Sequence, residues 1–142
     1  FSPDGKKLVI TLGGVDGNPD IYTLDLSSKQ TQRLTSHRAI DTEGTWSPDG
    51  RYITMVTRAN GGFRIGLLDL QTDGLQILSQ GNLDESPSFA PNGSMVIYAT
   101  RANGKNVLAA VSTDGRVKQR LALQAGDVRE PAWSPYYQQK RN

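Results

Sequence analysis

The chain of 142 residues reads as an all-β protein assembled from repeated four-stranded units, and three observations predict it. An aromatic-turn motif occurs four times, as Phe1-Ser2-Pro3-Asp4-Gly5, Trp46-Ser47-Pro48-Asp49-Gly50, Phe89-Ala90-Pro91-Asn92-Gly93 and Trp133-Ser134-Pro135-Tyr136. Its aromatic residues are spaced by 45, 43 and 44 positions. Between copies, short apolar-alternating runs are closed by Gly, Asn-Gly and Asp-Gly, and no stretch of useful length carries a helical period. A period in the forties with an aromatic anchor beside a Pro-Asp-Gly turn is the pattern of stacked propeller blades.

Each unit divides into four strands, A to D, with A leading into the aromatic motif. In the first, Lys7 to Leu12 is strand B, and Gly13, Gly14, Gly17 and Pro19 break it. Ile21 to Leu26 follows as C, then the polar turn Ser27-Ser28-Lys29, then Thr31 to Thr35 as D. After the loop from Ser36 to Asp41, Thr42 to Trp46 is strand A of the second unit. That unit continues through Tyr52 to Thr57, Arg64 to Leu70 and Leu75 to Leu78. The third repeats the layout in Met95 to Thr100, Asn106 to Val111 and Val117 to Leu121. Arg58-Ala59-Asn60-Gly61 returns as Arg101-Ala102-Asn103-Gly104, and Asn-Gly supplies the positive φ that a tight hairpin needs. Proline in the aromatic motif falls at the A to B turn, where its missing N–H costs no ladder bond. Asp16-Gly17-Asn18-Pro19-Asp20 superficially resembles a calcium loop but lacks the central Gly and the distal Glu, so it reads as a plain turn.

These elements place strands B, C and D of one blade in residues 1–41, a complete blade in 42–85, another in 86–129, and strand A of a further blade in 130–142. Twelve strands are three blade equivalents, cut out of register by one strand. Propellers have roughly four to eight blades, because fewer leave open sheet edges and uncovered blade faces. Two outcomes satisfy this: a fragment of a longer propeller, or a head-to-tail homodimer that closes a six-bladed ring. Phe1, Trp46, Phe89 and Trp133 are then the structural anchors between blades. The chain begins at Phe1 inside its own repeat, as expected of a piece of something longer, or of a processed or engineered chain.

Sixteen basic and fourteen acidic residues leave a net charge of +2, and no run of five cations occurs. That footprint argues against nucleic acid and anionic membrane as partners. No cysteine is present, so there is neither a disulfide framework nor a thiolate metal site. No apolar run approaches the roughly 18 residues of a membrane span, and no signal peptide is legible. No cofactor motif occurs.

Asp84-Glu85-Ser86-Pro87-Ser88-Phe89-Ala90-Pro91-Asn92-Gly93 with Met95-Val96-Ile97-Tyr98, together with Val111-Ser112-Thr113-Asp114-Gly115-Arg116 and Pro131-Ala132-Trp133-Ser134-Pro135-Tyr136, resembles the TolB family. These are propeller proteins of the Gram-negative Tol-Pal system. The resemblance covers nearly the whole chain and is most specific in its C-terminal third. It implies a six-bladed, non-enzymatic, periplasmic protein-binding scaffold concerned with cell-envelope integrity, cell division and protein transport. It further implies binding of the peptidoglycan-associated lipoprotein Pal, exploitation by colicins, and a separate N-terminal domain plus about three more blades than are present here. The family's Thr-Glu-Pro-x-Trp motif stands as Thr42-Glu43-Gly44-Thr45-Trp46, with Gly in place of Pro.

Strand topology puts the D to A loops on one face around the central channel. They carry Asp41, Thr42 and Glu43, then Asp84 and Glu85, then Asp127, Arg129 and Glu130, expected as an acidic collar for a basic partner. Hard oxygen ligands also suit a weak calcium site at Asp41, Glu43, Asp84 and Glu85. The plainer reading is that these acids cap turns and pair with neighbouring cations. His37, the single histidine, falls in a surface loop and reads as a partner contact. No Gly-x-Ser-x-Gly elbow or histidine-based triad is legible, so the chain is expected not to be an enzyme. Two other readings stay open: an accessory propeller of a prolyl-oligopeptidase-like hydrolase, and a ligand-free chain made to probe propeller assembly.

Overall fold

The computed structural model describes residues 1–14, 16–36, 39–121 and 126–135. Among them, eleven strands form three antiparallel meanders. The first sheet holds β1 (Lys7–Gly13), β2 (Pro19–Asp25) and β3 (Thr31–Arg33) in that order. The second holds β4 (Asp41–Trp46), β5 (Tyr52–Ala59), β6 (Gly62–Asp69) and β7 (Leu75–Ile77). The third holds β8 (Glu85–Phe89), β9 (Met95–Ala102), β10 (Lys105–Ser112) and β11 (Lys118–Leu121).

Turn chemistry sets the registers. Asn60 and Gly61 have φ of 50° and 79°, and Asn103 and Gly104 have 50° and 77°. Two successive left-handed residues make the hairpin turn whose twist matches the strands, so Ala59 pairs with Gly62 and Ala102 with Lys105. The A to B turn is locked by side chains. Ser47 Oγ donates to Asp49 Oδ1 at 2.6 Å, while the Arg51 and Tyr52 amides donate to Asp49 and to Ser47 Oγ. Ser2 and Asp4 repeat that arrangement, and Ser112 with Asp114 reproduces it at a C to D turn. One Ser-x-Asp-Gly device thus serves two turn classes. These donors hold the carboxyls of Asp4, Asp49 and Asp114 below the usual carboxylate range, the serine hydroxyl contributing most.

Packing follows from stacking the sheets face to face. Ile21 of the first sheet meets Ile53, Met55 and Leu68 of the second, flanked by Val9, Leu34 and Trp46. On its other face the second sheet packs Val56, Ile65, Leu67 and Leu78 against Phe89, Val96, Tyr98, Ala109 and Val111 of the third. The central strand β5 is therefore buried on both faces from Ile53 to Thr57, whereas β1 has no fully buried residue.

The expected strand at the C-terminal end does not form among residues 126–135, so the described chain has one strand fewer than the twelve expected. A strand exists only with a ladder partner, and no further sheet edge follows the third sheet here. Trp46 and Phe89 pack into the two inter-sheet cores as anchors. Phe1 and Trp133 do not: they are 79% and 41% exposed, because no blade stands beside them. The Asp16–Asp20 segment is also not a plain turn, since Pro19 and Asp20 open β2 and Asp20 is fully buried.

Candidate functional site

The segments leading into the aromatic motif carry a conformational repeat. Counting back three residues from Trp46, Phe89 and Trp133 reaches Glu43, Ser86 and Glu130, whose φ values are 56°, 56° and 46°. All three lie in the left-handed region, which costs a non-glycine residue on the order of 1–3 kcal/mol and persists only where surroundings enforce it. Proline follows Ser86 and Glu130, and the residue before proline ordinarily prefers an extended backbone. Register breaks accompany the kinks, between Thr42 and Thr45 in β4 and between Glu85 and Ser88 in β8. The three kinked segments line a groove of about 450 Å³ formed by Glu43–Thr45, Ser86–Ser88 and Glu130–Ala132.

Within that groove the Ser86 amide donates to the Glu43 carboxylate at 2.6 Å. This charge-assisted bond crosses from the second sheet to the third on the inner face. Glu43 is exposed, as is Glu130 in the equivalent position. The smaller Ser86 stands between them, so the carboxylates alternate around the groove. Gly44, at the family motif's proline position, packs against the first sheet. A Cβ there would lie 2.7 Å from Val9 Cγ2 and 3.3 Å from Ile21 Cδ1. Glycine is what lets the first two sheets approach at this level.

The other expected collar residues fall elsewhere. Asp41 and Asp84 are 0% and 1% exposed, buried within the blades, and neither lines the groove. Asp84 accepts hydrogen bonds from Ser79 Oγ at 2.5 Å, Thr100 Oγ1 at 2.5 Å and the Gly81 amide at 3.0 Å. Ser79 in turn accepts from the Ile65 amide, so the group ties strand C to the following D to A loop. The first sheet repeats the device with Thr35, which accepts from the Ile21 amide and donates to Asp20. There Arg33 Nη2 completes a 2.5 Å ion pair with Asp20.

Thr42 is half-buried in β4. Glu85 is half-buried and accepts from Asn106 Nδ2 at 3.5 Å. Asp127 accepts from the Asn106 amide at 2.7 Å and pairs with Arg129 at 3.3 Å. The Asn106 bond, then Arg129, holds the Asp127 carboxyl below its usual range. His37 lies outside the described residues. The structure thus gathers Glu43 and Glu130 and separates them from Asp41, Asp84 and Asp127. Among the described residues no three His, Asp or Glu side chains converge on a point that could hold a metal ion. Asp41, Glu43, Asp84 and Glu85 accordingly form no calcium cage, since burial takes the two aspartates away from the two glutamates. Ser86 and Asn106 were missed as groove and loop partners. Aligning the three aromatic residues would have flagged Ser86, because the alignment pairs it, not Glu85, with Glu43 and Glu130.

A family model described as the TolB beta propeller domain matches residues 1–57 and 47–137. The Tol-Pal system protein TolB of Methylobacillus flagellatus is 55% identical over 84 residues, which is 59% of this chain and 19% of that protein. The crystal structure of TolB from Acinetobacter baumannii superposes with a TM-score of 0.87 at 42% identity, over 96% of this chain and 34% of that one. An oligogalacturonate lyase in complex with manganese matches at TM-score 0.70 and 22% identity, covering 96% of this chain and 42% of that one, a likeness of fold alone. The chain aligns with 18–20% of the length of the first curated relatives it matches.

Proposed function

The chain belongs to the TolB β-propeller family, and from that premise we propose that it is a non-enzymatic protein-binding scaffold of the Tol-Pal cell-envelope system, acting in the periplasm. Its partner on this reading is a Pal-like lipoprotein, and colicins would exploit the same face. The observation that carries the proposal is the inner-face groove, where Glu43, Ser86 and Glu130 hold the same left-handed backbone and present two exposed carboxylates. Backbone strain repeated at equivalent positions and aimed into a groove is the kind of outlier that accompanies binding surfaces. Because the groove is acidic, its complement on the partner is a basic or amide-rich segment.

Titration calorimetry with the soluble domain of a Pal-like lipoprotein tests this. Binding to the parent chain, weakened at least fivefold by Glu43→Gln together with Glu130→Gln, is expected. Binding that is unaffected by the pair would move the site off this groove. The edge position of β1 and the segment around Trp133, which forms no strand among the described residues, support a second element of the proposal, a head-to-tail homodimer in which one chain's C-terminal segment completes the other's three-stranded sheet. Light scattering that returns the mass of one chain at micromolar concentration would remove that element and leave the groove proposal standing.

A further inference from the structure

The two seams between sheets are built from equivalent positions but filled by different chemistry. At the first seam Met55, Gly66 and Leu75 pack together, with Met55 fully buried and a Cβ on Gly66 only 3.2 Å from Leu75 Cδ1. At the second seam, 43 residues on, the equivalents are Tyr98, Ala109 and Lys118, and Ile77 is replaced by Arg120. The result is a groove of about 430 Å³ that includes Tyr98, Thr100, Arg101, Lys118 and Arg120 in its lining. It shares no residue with the inner-face groove.

Its charge is one-sided. Lys118, Arg120 and Arg101 are exposed, and none of them belongs to the ion pairs found among the described residues. Arg101 also faces Asp127, whose carboxyl it helps hold down; Lys118 and Arg120 are the core of the patch. Asp84, whose carboxylate acts on the Tyr98 phenol, is buried and already receives three hydrogen bonds. Burial, and then the Asp84 carboxylate, push the Tyr98 phenol up to about 12, with Arg120 pulling the other way. Tyr98 therefore keeps its proton in any physiological medium.

The two cations sit on β11, which pairs with β10 and has no strand on its outer edge among the described residues. Lys118 pairs with Val111 and Arg120 with Ala109, so the two side chains share the face that carries Tyr98 and Ala109. Alternate residues of a strand stand about 6.7 Å apart on one face. We propose that this seam binds an acidic peptide in extended form, adding to the free edge of β11 and placing carboxylates at alternate positions against Lys118 and Arg120. Main-chain bonds to the edge supply affinity, and the period of two supplies selectivity for a Glu-x-Glu pattern over the same charges in a block. The first seam, with Leu75 and Ile77 on the equivalent strand, lacks the cations and does not share the site.

Fluorescence anisotropy with a labelled peptide alternating Glu and Thr, against an isomer with its glutamates grouped, tests the inference on the full chain. The alternating peptide should bind at least tenfold tighter than the grouped isomer. Lys118→Gln with Arg120→Gln should cost at least tenfold, whereas Arg51→Gln, at an arginine paired with Asp69, should cost nothing. Backbone N-methylation of the peptide at alternate amides tests edge pairing without altering the protein: methylation on one register should abolish binding and on the other leave it intact. Equal binding of the two isomers, indifference to both glutamines, or equal binding of the two methylated registers would each overturn the proposal. Displacement of either isomer by equimolar pyrophosphate would show a general anion patch and overturn it as well.

Discussion

Replacing Asp84 separates a role inside the blade from a role in the channel. Its carboxylate receives Ser79 Oγ, Thr100 Oγ1 and the Gly81 amide, and is 1% exposed. In Asp84→Ala those donors lose their acceptor in a space that water cannot readily fill. Each stranded buried donor costs about 1–3 kcal/mol, and partial relaxation of the two hydroxyls brings the expected loss to about 3–5 kcal/mol. Asp84→Asn keeps the shape and one acceptor oxygen. Its amide must still face a hydroxyl that already donates, so a loss of about 1–2 kcal/mol is expected. Urea denaturation followed by circular dichroism, with the slope compared between variants, measures both. Losses below about 0.5 kcal/mol for Asp84→Ala, or equal losses for alanine and asparagine, would refute the buried-acceptor account. A Pal-binding defect in Asp84→Asn with unchanged stability would instead return this residue to the channel.

Further outcomes follow from the same geometry. Gly44→Ala should cost about 1–3 kcal/mol in urea denaturation, because the added methyl meets a β-branched Val9 that cannot rotate freely; an unchanged midpoint would show that the first two sheets slide apart at no cost. Asp4, Asp49 and Asp114 have folded pKa values below their unfolded ones, so the stability they contribute is present above the unfolded pKa near 3.8 and is lost as pH falls through the folded values. The melting temperature should therefore fall from pH 5 to pH 2, and Ser47→Ala should flatten that dependence; a flat profile in the parent contradicts the turn assignment. Tyr98 has a raised folded pKa of about 12, so the stability it contributes is full below the unfolded value near 10 and is lost as pH rises toward 12. Ultraviolet titration should find Tyr98 ionising last, identified by its disappearance in Tyr98→Phe.

The strand plan was legible because each local signal agreed with the next. Asn60-Gly61 and Asn103-Gly104 could only be tight hairpins, and the predicted strands fall within a few residues of those observed. The start of β2 was missed because Pro19 suggests a break; at the first position of a strand, however, its missing N–H costs little. The site was legible only in part. Glu43 and Glu130 line one groove, but Glu85, grouped with them from the sequence, stands one position out of step with the kinked repeat, and a shift of one along a strand sends a side chain to the other face. Asp41 and Asp84 looked like collar residues because sequence reports charge but not what surrounds it.

Family, repeat, strand order and turn chemistry were thus determined by the sequence itself, since each depends on residues within a few positions of one another or on a fixed period. Which acids line the inner-face groove, which aromatics find a neighbouring sheet, and which seam is cationic were decided only in the tertiary structure. Those properties depend on the register of kinked inner strands and on what packs across a seam from residues some 43 positions away. No local rule of propensity or spacing records that.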